Sequence, residues 1–294
     1  MEALSRSIAP GRGIVFMLLG SALLTVNDTV LKWLTAGYPT GQIMFLRGIF
    51  VILPVALLVW RAGGLAVLRV NSKGAHALRA ACVCTGTFLF ITGLAFMPLA
   101  EAIAITFAGP LFVTALAAPM LGEIVGWRRW TAVLVGFVGV LIITRPTGEA
   151  IQWAALLPLT ASLCGALRDL ITRKISTGES SIALLCTSTT AVVLAGLVTA
   201  PFGWQPVAAF DLALMVFSGV LIGSAHFLLI ECFRLAEAAL VSPFKYSNLL
   251  WAILFGFLVW GDLPDEWTLT GAGIVVVSGL YILHREALSR ETQP

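Results

Sequence analysis

The chain has 294 residues, of which 59% are hydrophobic and only 11% charged, with a formal net charge of +3. Soluble proteins carry about a quarter charged residues, so this balance excludes an ordinary soluble globule. In so apolar a chain the small positive excess is no nucleic-acid signal, and its meaning lies in how the positive charges are spread among the loops.

In chain order, apolar runs of about 20 residues, enough to cross roughly 30 Å of hydrocarbon, fall at 13–33, 41–60, 77–97, 101–121, 130–145, 151–171, 181–201, 210–231, 238–260 and 267–284. Span one carries Asn27, Asp28 and Lys32 in VNDTVLKWL, and span two has Arg47 about six residues in. Span four reads EAIAITFAGPLF, with Glu101, Thr106, Phe107 and Pro110, and ends at Glu123. Span six reads ALRDLITRKI, with Arg168, Asp169 and Arg173, and span eight holds His226. Span nine holds SPFKYSN, with Lys245, Tyr246 and Asn248 followed by Trp251, and ends at Asp262. Residues 1–10 lack an apolar core followed by a cleavage site, so span one is expected to be retained.

Alternate loops are basic: Arg6 and Arg12; Arg61, Arg69, Lys73 and Arg79; Arg128 and Arg129; Arg173 and Lys174; Arg234; Arg285 and Arg290. The intervening loops hold only Arg145, and the last is acidic. Positive loops stay on the cytoplasmic side, so both termini are predicted to be cytoplasmic. Eight of the nine tryptophans fall near span ends, where indole favours the water–lipid boundary, and only Trp251 lies deep in a span. The five cysteines lie in or at the ends of spans without metal-site spacing and read as small apolar fillers.

The pattern occurs twice. Asp28 and Asp169 are each followed four residues later by a base, which places each pair on one helical face. MLGEIVGWRRW is echoed by VWGDLPDEWTL, where Glu123 matches Asp262, and a Gly/Val/Ile-rich span ending in a base follows both. Repeats about 140 residues apart in a membrane chain signal duplicated halves, and an odd number of spans per half makes the second run inverted. The expected fold is an all-α integral membrane protein of ten transmembrane helices, in two inverted five-helix repeats over 13–145 and 151–285. The Gly219/Gly223 pair in span eight is expected to pack inside this bundle rather than to mark a dimer.

A charge in the bilayer costs at least about 2.5–3.5 kcal/mol on insertion scales, so each one demands a reason. Asp28 and Lys32, one turn apart, either offset each other locally or form a gate or proton-responsive site near the outer mouth. Arg47 needs a carboxylate, with Asp28 the candidate, and serves as a brace or as a substrate anchor. Arg168 and Arg173 can snorkel to the cytoplasmic face, leaving Asp169, the counterpart of Asp28, as the functional member. Lys245 and Tyr246 head the candidate site, because Ser242 and Pro243 weaken the helix before them and broken helices expose backbone to a substrate cavity. Asn248 and Trp251 continue their face with a hydrogen-bonding group and an aromatic plate, and Phe107 adds stacking surface. Thr106 supplies a hydroxyl. His226 is either a proton relay or plain structure. Glu123 and Asp262 read as loop anchors.

The ten-span layout, QIMFLRG, the block LAFMPLAEAIAITFAGPLFVTALAAPMLGE, the block RLAEAALVSPFKYSNLLWAILFGFLVWGD and the final VVVSGLYIL resemble the drug/metabolite transporter superfamily, in particular its EamA-type members. NDTVLKWL, PFKY and GDLPDEWTLTGA look most like S-adenosylmethionine-type uptake carriers, with riboflavin importers of the same fold as rivals. The resemblance implies a secondary transporter in a bacterial inner membrane that moves a small polar metabolite by alternating access. An exporter of amino acids or drugs, or remotely a non-transporting membrane protein, are the alternatives. No HExxH, GxSxG, Walker A or His/Cys cluster occurs, so no enzyme, metal or cofactor is expected. Expected partners are the solute, the bilayer and a proton or counter-substrate; a monomer suffices and a dimer is permitted.

Overall fold

The computed structural model describes residues 10–122, 126–144, 153–175, 179–235 and 242–291, and no strand occurs among them. Arg6, Glu123 and Arg145 lie outside the described residues. The helices are α1 (Pro10–Thr35), α2 (Thr40–Arg61), α3 (Lys73–Leu94), α4 (Leu99–Thr106), α5 (Gly109–Leu121), α6 (Trp127–Thr144), α7 (Trp153–Ile175), α8 (Ser181–Val198), α9 (Ala209–Leu235), α10 (Ser247–Trp260) and α11 (Glu266–Glu291). Short 3₁₀ turns occupy Gly64–Leu68 and Ser242–Tyr246. Six segments are long and apolar enough to cross a bilayer: Gly11–Thr35, Thr40–Arg61, Lys73–Leu94, Leu99–Leu121, Trp153–Ile175 and Ala209–Leu229. Shorter apolar helices run over Trp130–Thr144, Ile182–Val198, Phe244–Trp260 and Glu266–Ile282.

Two of the predicted spans are interrupted. In the fourth, α4 tightens at its end, where Phe107 N–H donates to Ala104 O and Ala108 N–H to Ile105 O, before α5 starts. Pro110 has no N–H for the Thr106 carbonyl one turn back, and Ser162 of α7 donates its hydroxyl there instead, at 3.0 Å. The bilayer cannot hydrate a freed carbonyl, so such a break survives only with a protein donor beside it. In the ninth span the Ser242–Tyr246 3₁₀ turn leads into α10.

Helix packing follows the small residues. α1 lies along α9, α3 along α7, α2 along α8 and α6 along α11. α4 meets α10; α4 and α5 lie against α7, and α10 against α1. At the α6–α11 crossing the backbones touch. A Cβ on Gly139 would lie 2.8 Å from Gly271 O, and one on Gly271 2.6 Å from Gly139 O. Gly219 and Gly223 face α2 at Phe50 and Pro54, so this pair packs inside the bundle. Lipid tails are as apolar as leucine, and close backbone approach replaces hydrophobic burial as the source of helix association. Leucines, valines and phenylalanines such as Leu53, Leu134, Leu197, Leu250 and Val277 point outward, as a lipid-facing surface requires. Trp33, Trp60, Trp127, Trp130, Trp153 and Trp267 are exposed near helix ends.

Candidate functional site

The site forms where the interrupted spans meet. Phe107, buried at the α4–α5 break, meets Tyr246 at the end of the 3₁₀ turn edge to face, with ring centroids 4.9 Å apart. The Tyr246 hydroxyl reaches the bare Cα of Gly279 in α11, a space that any Cβ would fill. From there into the first turns of α10 runs a set of buried polar atoms without hydrogen-bond partners: Tyr246 Oη, Ser247 Oγ, Asn248 Oδ1 and Trp251 Nε1. Buried polar groups are nearly always paired, so a run of orphans at a helix break marks a place made for water or a ligand. Trp251 stacks on Phe255 at 6.5 Å. Thr106 turns its hydroxyl back to Ile103 O at 2.7 Å, so it is engaged within its own helix.

Asp28 accepts a hydrogen bond from Asn27 Nδ2 at 3.0 Å. Asn27 is fixed in turn by Ser218 Oγ of α9, which donates to Asn27 Oδ1 at 2.6 Å. Arg47 lies within electrostatic reach of Asp28. Its side chain is only 7% exposed, yet its Nε has no partner. The carboxylate–guanidinium pairing expected from sequence therefore acts through the field and forms no direct bridge. Arg47 Nε is left open.

Lys32 does not pair with Asp28. It bridges Asp262 at 3.4 Å, donates to Met97 O at 3.0 Å and lies 4.8 Å from the Trp260 ring centre. The spacing argument failed because helical neighbours at i and i+4 only make a contact available. A long side chain at a helix end finds stronger partners on the α3–α4 connection and after α10. Asp262 is an anchor, as read from sequence, and the element it anchors is α1.

On the second half, Arg168 Nε and Nη2 both engage Asp169 Oδ1, at 2.9 and 2.8 Å. Arg168 is 40% and Asp169 55% exposed. Lys245 is also exposed and lies in the fields of Asp169 and Arg168. His226 of α9 lies in the fields of Arg168 and Arg47, and its Nδ1 is 2.7 Å from Ile222 O. A carbonyl only accepts, so Nδ1 carries the proton and Nε2 remains as acceptor. Arg79 completes the set: it donates to Thr172 Oγ1 and Leu184 O, both at 2.8 Å, and to Ser188 Oγ, and it lies in the fields of Arg168 and Asp169.

Asp28 thus lies in reach of Arg47, and Asp169 with Arg168 in reach of Lys245, while His226 lies in the fields of both Arg47 and Arg168 and Lys32 sits at a separate latch. Ser247 and Arg79 escaped the sequence reading. A hydroxyl directly after the broken turn was a usable signal for Ser247; Arg79 had been counted only as a loop charge. Among the described residues no group of His, Cys, Asp and Glu is placed to hold a metal.

A bundle of apolar helices that encloses charged residues and breaks two of its spans beside them is a multi-pass membrane transporter. The profile of the EamA-like transporter family matches residues 11–145. The riboflavin transporter of Rhizobium johnstonii is 31% identical over 301 residues, covering 100% of this chain and 99% of that protein. The S-adenosylmethionine uptake transporter of Rickettsia bellii is 29% identical over 277 residues, covering 93% and 94%. A crystal structure of a protein 17% identical shares the fold, with a TM-score of 0.64 over 99% of this chain and 100% of that one. The chain belongs to the EamA-like transporter family. It is a metabolite transporter, not an enzyme, and its partners are a small-molecule substrate and the bilayer.

Proposed function

We propose that the protein is a secondary transporter that carries a vitamin- or cofactor-like solute, of the riboflavin or S-adenosylmethionine kind, across a bacterial inner membrane. The orphaned polar atoms at the start of α10, beside Phe107, carry this reading. Lys245, Tyr246, Asn248, Trp251, Arg47, Thr106 and Phe107 form the substrate side of the proposal, with Ser247 added and Thr106 acting through the break it terminates.

The proposed mechanism is alternating access between two inverted halves, 13–145 and 151–285, with both termini cytoplasmic. Every principal helix pairing described above maps onto itself or another when the halves are exchanged, which supports the repeat. In each half the residue just before the aspartate bonds to it, Asn27 to Asp28 and Arg168 to Asp169, which supports it again. Lys32, tied to Asp262 and Met97, is the latch of the outer end. Asp28, Asp169 and His226 answer to protons or to the solute's charge, and His226 Nε2 is free to take a proton. A monomer suffices, since the site lies within one chain.

Thermal stability of the purified protein against riboflavin, S-adenosylmethionine, nucleosides and amino acids tests the proposal. A ligand of the folded state adds about 2.7 kcal/mol at a hundred times its dissociation constant. The expected result is one strong hit, lost in Lys245→Ala although that variant still reaches the membrane folded. Uptake by Lys245→Ala equal to wild type removes Lys245 from the site.

A further inference from the structure

We infer that the parts that move against each other are two helix pairs that cross the sequence repeats, α1 with α9 and α3 with α7. The inference rests on the alternating-access reading and assigns its moving bodies.

Each pair is tied along its length. In the first, a Cβ on Gly20 would lie 3.0 Å from Leu229 Cδ2 and 3.4 Å from Ala225 O, and Met17 and Cys232 form a buried cluster at that end. Midway, Ser218 Oγ donates to Asn27 Oδ1 at 2.6 Å, and both side chains are buried. At the far end Tyr38, just past α1, donates its hydroxyl to Asp211 Oδ2 at 2.7 Å and accepts the Ala208 N–H at 3.2 Å. In the second pair, a Cβ on Gly93 would lie 3.1 Å from Pro158 Cδ, and one on Gly86 3.2 Å from Cys164 Cβ. Arg79 Nε donates to Thr172 Oγ1 at 2.8 Å. At the far end Glu179, past α7, accepts the N–H of Ser72 at 2.7 Å and of Asn71 at 2.9 Å.

The end ties match. Tyr38 and Glu179 keep the sequence spacing of Asp28 and Asp169. Each accepts the N–H of the residue directly before the partner helix, Ala208 before α9 and Ser72 before α3. Their chemistry differs, so what recurs is the joint and not a residue type. Helices this close in lipid hold by packing, and polar bonds at membrane depth have no water to exchange with. A pair held at both ends and in the middle therefore shifts as one body.

Between the pairs the tie is of another kind. Lys32, near the end of α1, reaches Met97 O on the α3–α4 connection with a long, rotatable side chain, at 3.0 Å. That bond can part without opening a helix seam. α2 packs on α9, α8 packs on α3, and α2 and α8 pack on each other, so this flank is the seam about which the pairs turn.

Two measurements on the full-length protein test this. In proteoliposomes, Gly86→Cys sets a thiol opposite native Cys164, the other cysteines being replaced by alanine. The Cβ separation is close to the roughly 3.5–4.5 Å that a disulfide spans. Uptake of riboflavin and of S-adenosylmethionine is followed before and after oxidation. Closing this bridge is expected to leave uptake unchanged, whereas a reducible bifunctional thiol reagent joining Lys32→Cys to Met97→Cys should abolish it until reduced. Loss of uptake on closing the α3–α7 bridge, regained on reduction, overturns the inference, as does transport that survives the Lys32–Met97 cross-link. The second measurement needs no solute. In cysteine-free protein in nanodiscs, spin labels at the exposed Trp33 and Phe210 report within the first pair, and labels at Phe210 and the exposed Leu156 report between the pairs. Lys32→Ala is expected to lengthen the distance between the pairs and leave the distance within the pair fixed. If both change together, or neither changes, the inference is overturned. If the wild-type protein moves neither solute while the labels behave as expected, the substrate reading falls and this inference stands.

Discussion

Asp28 and Asp169 stand about 140 residues apart at matching points of the sequence pattern, yet their surroundings differ. Asp28 is held by the fully buried Asn27, which Ser218 fixes from another helix. Asp169 is 55% exposed and held by an arginine that is itself 40% exposed. Near Asp28, the latch at Lys32 and the buried Leu31, Leu34, Leu94 and Leu99 close one end of the bundle tightly. Matching sequence segments thus make like bonds but not like solvation. The proposed alternating access needs such inequality at any one moment, and its second state would exchange the two environments.

The largest expected effect comes from removing Asn27. Asn27→Leu leaves a half-buried carboxylate without its hydrogen bond and should cost about 1–3 kcal/mol of stability. The matching Arg168→Ala, at an exposed pair, should cost less than about 1 kcal/mol. Equal shifts in melting temperature would erase the comparison.

Between the two ends lies the ring contact of Phe107 with Tyr246. Gly279→Ala fills the space that the Tyr246 hydroxyl occupies, pushing that ring off Phe107. Overpacking of this kind costs about 1–3 kcal/mol. Calorimetry together with solute binding checks it, and an unchanged Kd removes Tyr246 from the site.

A smaller effect concerns the latch. Asp262→Asn weakens the bridge to Lys32 by up to about 1 kcal/mol, shifting the population toward opening at that end. A cysteine placed at Leu31, sealed in the native protein, should then react faster with a membrane-impermeant thiol reagent. No change in labelling rate means that Lys32 ties the end together without gating it.

The smallest effect sits at the opposite end, on the connection before α8. Glu179 accepts the backbone N–H of Ser72 at 2.7 Å and of Asn71 at 2.9 Å and faces His76 at 3.2 Å. The Ser72 amide first, then His76 and Asn71, hold its carboxyl below the ordinary carboxylate range. A depressed folded value stabilises the fold above the unfolded one and is lost as pH falls through it. Glu179→Gln should therefore lower the melting temperature slightly at neutral pH and match wild type in acid. A difference that persists in acid would assign the effect to packing.

Much was legible without coordinates. Apolar length read out the helices, because a bilayer accepts almost nothing else. Ser242 and Pro243 marked the interruption of the ninth span, since a proline nitrogen has no proton to give. That Lys245 and Tyr246 lie beside a broken turn followed from the same reasoning. The partner of Lys32 was not legible. Asp262 lies 230 residues away, and helical spacing offered Asp28 as a nearer but wrong choice. Nor did sequence say that Arg47 would face Asp28 without bridging it, or that Tyr246 would reach Gly279. Local composition and spacing determine which segments can be helices and where they break, for those are properties of a backbone in its solvent. Which charges meet, which remain unpaired and which end is sealed depends on how helices cross. Only the assembled bundle fixes those crossings, through contacts as close as Gly139 on Gly271.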